Sequence, residues 1–191
     1  MSRSRPLALL AATLLGSAWG CGYDRSKPPD VATPQPPATF QKRSFREQGL
    51  ALYAPANWRS SAGEAPLVVA FTSGRATLAV WRYPRSERLP KSRIEVAKVL
   101  PDLLQAARGR EPALRLDTPR LVTIAGAPGV VLTGVETILG QRRRVRSAHL
   151  YANGAEVVVD AFAPPGVFAR VDRQVFRAVL ASLRVRRGGR R

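Results

Sequence analysis

Residues 121 to 163 read LVTIAGAPGVVLTGVETILGQRRRVRSAHLYANGAEVVVDAFA. Four apolar or alternating runs stand out in this stretch: Leu121 to Ile124, Val130 to Leu139, Arg142 to Tyr151, and Ala155 to Ala163. They are separated by Ala125-Gly126-Ala127-Pro128-Gly129, Leu139-Gly140-Gln141 and Asn153-Gly154. Asn-Gly is the preferred pair for a two-residue type I′ turn, because both residues accept positive φ and the turn twist matches that of the flanking strands. Side-chain alternation bounded by such turns predicts a meander of antiparallel strands.

Working outward, the same pattern recurs upstream. Phe45 and Leu50 to Ala54 flank Gln48-Gly49, and Leu67 to Phe71 and Ala76 to Tyr83 flank Ser73-Gly74; each pair reads as a hairpin. Between these and the meander the period changes. From Pro90 to Arg108, residues Ile94, Val96, Ala97, Val99, Leu100, Leu103, Leu104 and Ala107 recur at helical spacing, with Pro101 implying a kink or two short helices. After Ala163-Pro164-Pro165-Gly166, Phe168, Val171, Val175, Phe176, Val179, Leu180 and Leu183 mark a second helix over Val167 to Val185. Hairpins, helix, meander, helix is the order of an α+β fold, here an antiparallel sheet of about six to seven strands covered by helices.

The chain has 191 residues, enough for one domain with a real core and a tail. Residues 1–20 read as an export signal: Arg3 and Arg5, the apolar run Leu7 to Leu15, then small residues ahead of Cys21. The apolar run is too short to span a bilayer. Residues 21–42 hold Pro28, Pro29, Pro34, Pro36 and Pro37 and read as a semi-rigid linker extending about 3.1 Å per residue. Residues 43–185 form the α+β domain and 186–191 a basic tail. The formal net charge is +18, and the signal would carry away only the charges of Arg3 and Arg5. Such a domain beside anionic lipid or envelope polymers gains about 1 kcal/mol for each Lys or Arg near the surface.

Ala18-Trp19-Gly20-Cys21 resembles a bacterial lipoprotein signal, which implies cleavage before Cys21 and acylation of its thiol. Ala18 replaces the usual leucine of that motif, and Ala18-x-Gly20 also suits ordinary signal peptidase, which would release a soluble protein. As the sole cysteine, Cys21 can close no intramolecular disulfide. The domain resembles the PsbP-like superfamily through Gly49-Leu50-Ala51-Leu52-Tyr53-Ala54-Pro55-Ala56-Asn57-Trp58, Ile124-Ala125-Gly126-Ala127-Pro128-Gly129, and Phe176 through Ser182-Leu183-Arg184-Val185. The resemblance implies an α/β/α sandwich and carries no activity across.

Chemistry-bearing residues are sparse. His149 is the only histidine and is expected to be a sheet residue, since it lacks the partners of a zinc site or a triad. Glu136 and Asp160 sit in apolar strands, where pairing with nearby arginines is expected. Arg142, Arg144 and Arg146 fall on one sheet face and make a candidate anion clamp, with a solvated strand face that discourages edge pairing as the plainer reading. No phosphate-binding glycine loop, zinc finger or RNA-binding aromatic motif occurs. The expectation is therefore a non-enzymatic binding or scaffolding module, tethered to the envelope through a lipid on Cys21, with no cofactor, no metal and no nucleic-acid partner. Two alternatives stay open. A carrier of a lipid or small molecule requires a pocket between sheet and helix, and a hydrolase requires His149, Asp160 and Glu136 in one cleft.

Overall fold

The computed structural model describes residues 32–188, so Cys21 and the signal lie outside the described residues. The chain opens with β1 (Phe40–Phe45), β2 (Leu50–Pro55), β3 (Arg59–Ala62), β4 (Leu67–Ser73) and β5 (Ala76–Pro84). A helix, α1 (Arg93–Arg110), leads to β6 (Arg115–Leu116), β7 (Arg120–Ile124), β8 (Ala127–Ile138), β9 (Gln141–Ala152) and β10 (Ala155–Ala163). The final helical run comprises α2 (Pro165–Val171), a π turn (Asp172–Phe176) and α3 (Arg177–Ser182), and closes with β11 (Arg184–Val185).

The described strands pair antiparallel in two sheets. The larger has eight strands in the order β3-β4-β5-β10-β9-β8-β6, with β7 also paired to β8, and the smaller has the order β1-β2-β11. The expected six to seven strands become eight plus a separate three. The strands that sequence reading passes over are β3, whose Arg-Ser-Ser-Ala is exposed along its whole length, and the two-residue β6 and β11, too short to show alternation.

The three turns of the meander have the geometry expected of type I′. Positive φ occurs at Ala125 and Gly126 (52° and 78°), at Leu139 and Gly140 (48° and 73°), and at Asn153 and Gly154 (53° and 74°). Leucine is a poor occupant of this region, because its Cβ meets the following carbonyl at a cost of about 1–2 kcal/mol. Leu139 is also 97% exposed, so nothing in the packing offsets that cost. Leu139→Asn is therefore expected to stabilise the domain by about 1 kcal/mol, read as a higher urea midpoint with unchanged slope. An unchanged or lower midpoint would contradict it.

The two faces of the large sheet are covered unequally. On one, Leu78, Val80, Val131, Leu150, Val157 and Val159 pack with Leu50, Leu52 and Trp58 and with Phe168, Val175, Phe176 and Val179 of the helical run. On the other, among the described residues, Val96, Val130 and Leu132 form a small buried cluster, with Leu100, Leu103, Leu104, Leu116, Leu121 and Tyr151 around it. Helix α1 starts at the cap Ser92, whose side chain accepts the Glu95 N–H, and runs unbroken through Pro101. Both Pro101 and Ala97 lie on its exposed side, where water can take the carbonyl that a proline leaves unpaired. Ile94, counted among the apolar face, is 72% exposed, so α1 covers less of the sheet than its spacing promised.

Two boundaries differ from expectation. The C-terminal helix ends at Ser182 rather than Val185, because Arg184 and Val185 add to β2 as β11. The proline-rich linker does not extend freely to residue 42, since β1 begins at Phe40 and the segment before it is docked. Trp58 Nε1 donates to the Gln35 carbonyl (3.3 Å), Asn57 Nδ2 to the Pro36 carbonyl (2.9 Å), and the Gln35 N–H to Ser73 Oγ (2.9 Å).

Candidate functional site

Incomplete cover by α1 leaves a cavity of about 540 Å³ between its C-terminal half and strands β5, β8, β9 and β10. Register explains which side chains reach it. Across β8, β9 and β10, Leu132 pairs with Ser147 and Ser147 with Asp160, and His149 pairs with Val158, so these share the α1 face. Glu136 and Glu156 lie on the same face, two-residue steps further along their strands. The apolar walls come from Leu103, Leu116, Leu132, Val145, Val158 and Phe162.

A chain of polar contacts crosses the floor. Ser147 Oγ donates to Asp160 Oδ1 (2.6 Å) and lies 3.0 Å from His149 Nε2, while His149 Nδ1 lies 2.8 Å from Glu156 Oε1. Glu156 also receives the Arg85 guanidinium. His149 is thus a buried strand residue as expected, yet it is joined to Ser147 and Glu156, neither of which the sequence singled out. Both were within reach: once Asn153-Gly154 fixes the β9–β10 register, Ser147 must face Asp160 and Glu156 must lie diagonal to His149.

The carboxyls of the cavity differ in their environments. Burial opposes the charge on Glu156, but the hydrogen bonds from His149 and Arg85 outweigh it and hold the pKa below the usual carboxylate range. Burial raises the pKa of Asp160, with the Ser147 hydrogen bond in opposition. Burial also raises Glu136, reinforced by the like charges of Glu111 and Asp160. The expected pairing of Glu136 and Asp160 with arginine is not found among the described residues. The nearest candidate for Glu136 is its cross-strand partner Arg143, whose guanidinium turns instead to the Arg75 carbonyl and to Gln141 Oε1 (2.9 Å). No group of three or more His, Cys, Asp or Glu placed to hold a metal occurs among the described residues.

A carboxyl whose folded-state pKa is raised binds more protons than in the unfolded chain, so its stabilising effect is present at low pH and is lost as pH rises through the folded value. Glu136→Gln is accordingly expected to raise thermal stability near neutral pH, with the gain shrinking as pH falls into the usual carboxylate range. Melting scans across that range test it, and a pH-independent difference would contradict the assignment.

The arginine cluster is used differently. Arg142, Arg144 and Arg146 do share a face, but it is the opposite one, toward α2 and α3. Arg146 is buried with Nε and Nη2 on Asp172 (2.6 and 3.0 Å). Arg144 bonds Asp117 (2.9 Å) and lies over the Phe168 ring (5.8 Å to its centroid). Only Arg142 remains exposed, so the three guanidiniums are not presented together as an anion clamp. Nor does the cluster guard an edge, since β9 lies between β8 and β10.

No protein-family model matches the chain, and no curated protein matches it. Solved structures do resemble it. The cyanobacterial PsbP protein CyanoP from Synechocystis sp. PCC 6803 superposes with a TM-score of 0.61 at 14% identity, covering 78% of this chain and 94% of that one. LpqN of Mycobacterium tuberculosis, described as involved in cell envelope biogenesis, superposes with a TM-score of 0.55 at 14% identity, covering 77% and 90% respectively. The architecture is the PsbP-like α+β fold that the sequence resemblance implied.

Proposed function

We propose that this PsbP-like domain is a non-enzymatic binding module of the cell envelope, tethered through Cys21, that accepts a small amphipathic ligand between the large sheet and α1. The cavity carries the reading. Its volume of about 540 Å³ is typical of small-molecule sites, and it combines apolar walls with a few convergent polar groups. A core that filled this space would have argued for a purely structural domain. To test it, chemical-shift changes can be followed while a short-chain alcohol is titrated into the protein. Shifts confined to the cavity, and abolished in Ala106→Trp, which places a ring at its mouth, would support the reading. Shifts scattered over the surface would overturn it.

Ser147, His149 and Glu156 do have the order of nucleophile, base and orienting carboxylate, which favours a hydrolase as the second reading. Two features oppose it. The Ser147 hydroxyl has one hydrogen, and its short contact to Asp160 directs that hydrogen away from His149. Ser147 also lies inside a central strand paired on both sides, whose backbone N–H groups serve the ladder rather than an oxyanion hole. A fluorophosphonate probe is expected to leave Ser147 unmodified; labelling there would favour the hydrolase.

The envelope assignment draws on the signal-like leader, on Cys21 and on the net charge of +18. LpqN, described as an envelope-biogenesis protein, is a neighbour in fold. Among the described residues no helix is long and apolar enough to cross a membrane, so lipid on Cys21 would supply the attachment. In fractionated cells Cys21→Ala is expected to move from the membrane to the soluble fraction after a high-salt wash. Retention equal to the wild type would sink the tether.

A further inference from the structure

We infer that the ligand of this cavity is an organic cation with an apolar body, its ammonium group met by the Glu136 carboxylate. This rests on the cavity being a binding site and goes beyond it in naming the chemistry.

Glu136 is 8% exposed, lines the cavity, and makes no hydrogen bond or ion pair with any described residue. Its oxygens are not among the fully buried unpartnered atoms, so they open onto the cavity, where a carboxylate in a partly enclosed, poorly screened site attracts a counter-charge. The cations that could serve act elsewhere. Arg143, directly across the β8–β9 pair, bonds the Arg75 carbonyl and Gln141; Arg85 belongs to Glu156; Arg110, exposed at the end of α1, lines the same cavity but its charge acts on Asp160 and Tyr83. The remaining charged neighbours, Glu111 and Asp160, repel rather than neutralise. In a chain whose net charge is +18, this acid is left without a partner among the described residues.

The surroundings select among cations. A metal ion would need several oxygen or nitrogen ligands, and no such group occurs among the described residues. The lining is mixed: Leu132, Val145, Phe162, Leu116 and Leu103 supply hydrocarbon, while the Ser147, His149, Asp160 and Glu156 side chains of the floor are engaged with one another or with Arg85. A ligand with one ammonium group and an alkyl or aromatic body satisfies both parts. Its charge pairs with Glu136 out of water, and its body displaces water from the apolar walls.

The test uses three probes of equal chain length in the purified protein, decylammonium, 1-decanol and decanoate, each below its micellar concentration and followed by calorimetry and chemical shifts. The ammonium is expected to bind about tenfold more tightly than the alcohol, as one charge-assisted contact allows, and decanoate least tightly. Glu136→Gln should remove the ammonium's advantage and leave decanol binding unchanged. That variant removes an unpaired buried charge, so it is expected to stay folded, which its melting curve verifies. If all three probes bind alike, or if Glu136→Gln retains the preference, the cavity reading stands and the cation assignment fails. If no probe shifts the cavity resonances, both fail.

Discussion

Asp172→Ala is expected to cost about 3–5 kcal/mol of folding stability, the loss typical of leaving one member of a buried ion pair without its partner. Asp172 is 3% exposed and accepts from Arg146 through both oxygens and from Arg177 Nε (2.8 Å). The π turn makes this possible: Arg177 lies five residues beyond Asp172, and the backbone N–H of Arg177 reaches the Asp172 carbonyl. Removing the carboxylate strands the Arg146 guanidinium inside the sheet–helix interface, whereas Arg177 is exposed and can turn to water. Domains of this kind are stable by only about 5–15 kcal/mol, so the change takes away a large part of the total. Urea unfolding measures it, and a loss below about 1 kcal/mol would show that Arg146 finds another partner. Replacing both members with apolar residues, Arg146→Met with Asp172→Leu, should restore much of the loss, since the penalty comes from the orphaned charge rather than from missing attraction.

Phe176→Ala should be comparably severe, about 3–5 kcal/mol, because a large buried ring leaves a cavity that its surroundings fill only in part. Phe176 is 1% exposed and meets Trp58 edge-on (6.4 Å between centroids, 89°) and Phe168 at a tilt (6.0 Å, 57°). It ties the helical run to the start of the domain. Trp58 also holds the Gln35 carbonyl, so loss of the ring should loosen the docked segment ahead of β1 as well. Limited proteolysis is therefore expected to cut between residues 32 and 39 sooner in the variant than in the wild type. A cleavage pattern identical to the wild type would show that the segment is held independently of Trp58.

Much of the fold was legible because it depends on local signals. Asn153-Gly154, Leu139-Gly140 and Ala125-Gly126 mark the turns, and a two-residue turn leaves only one register for each strand pair. Helix α1 was legible in position but not in burial. Spacing shows that residues share a stripe, whereas the exposure of Ile94 depends on how far the sheet extends beneath it. The β1–β2 hairpin of the small sheet was legible, but its third strand was not, because β11 has two residues and gains its pairing from β2, far away in sequence. At the candidate site residue type alone points to His149, Asp160 and Glu136, whereas Ser147 and Glu156 look like ordinary strand residues until the β9–β10 register is known.

Taken alone, the sequence determined the class of the protein. The strand–turn periodicity and the two helical stretches are properties of short windows, in which a few residues suffice for the physics. Tertiary structure decided which charges are used up and which are left. Arg146 and Asp172 lie 26 positions apart and become a buried pair, while Glu136 lies opposite Arg143 and finds no ion-pair partner among the described residues. A carboxylate's partner depends on distances and competing acceptors that only the packed sheet and helix establish. The cavity itself, with the Glu136 carboxyl set among apolar walls and a polar floor, appears only there.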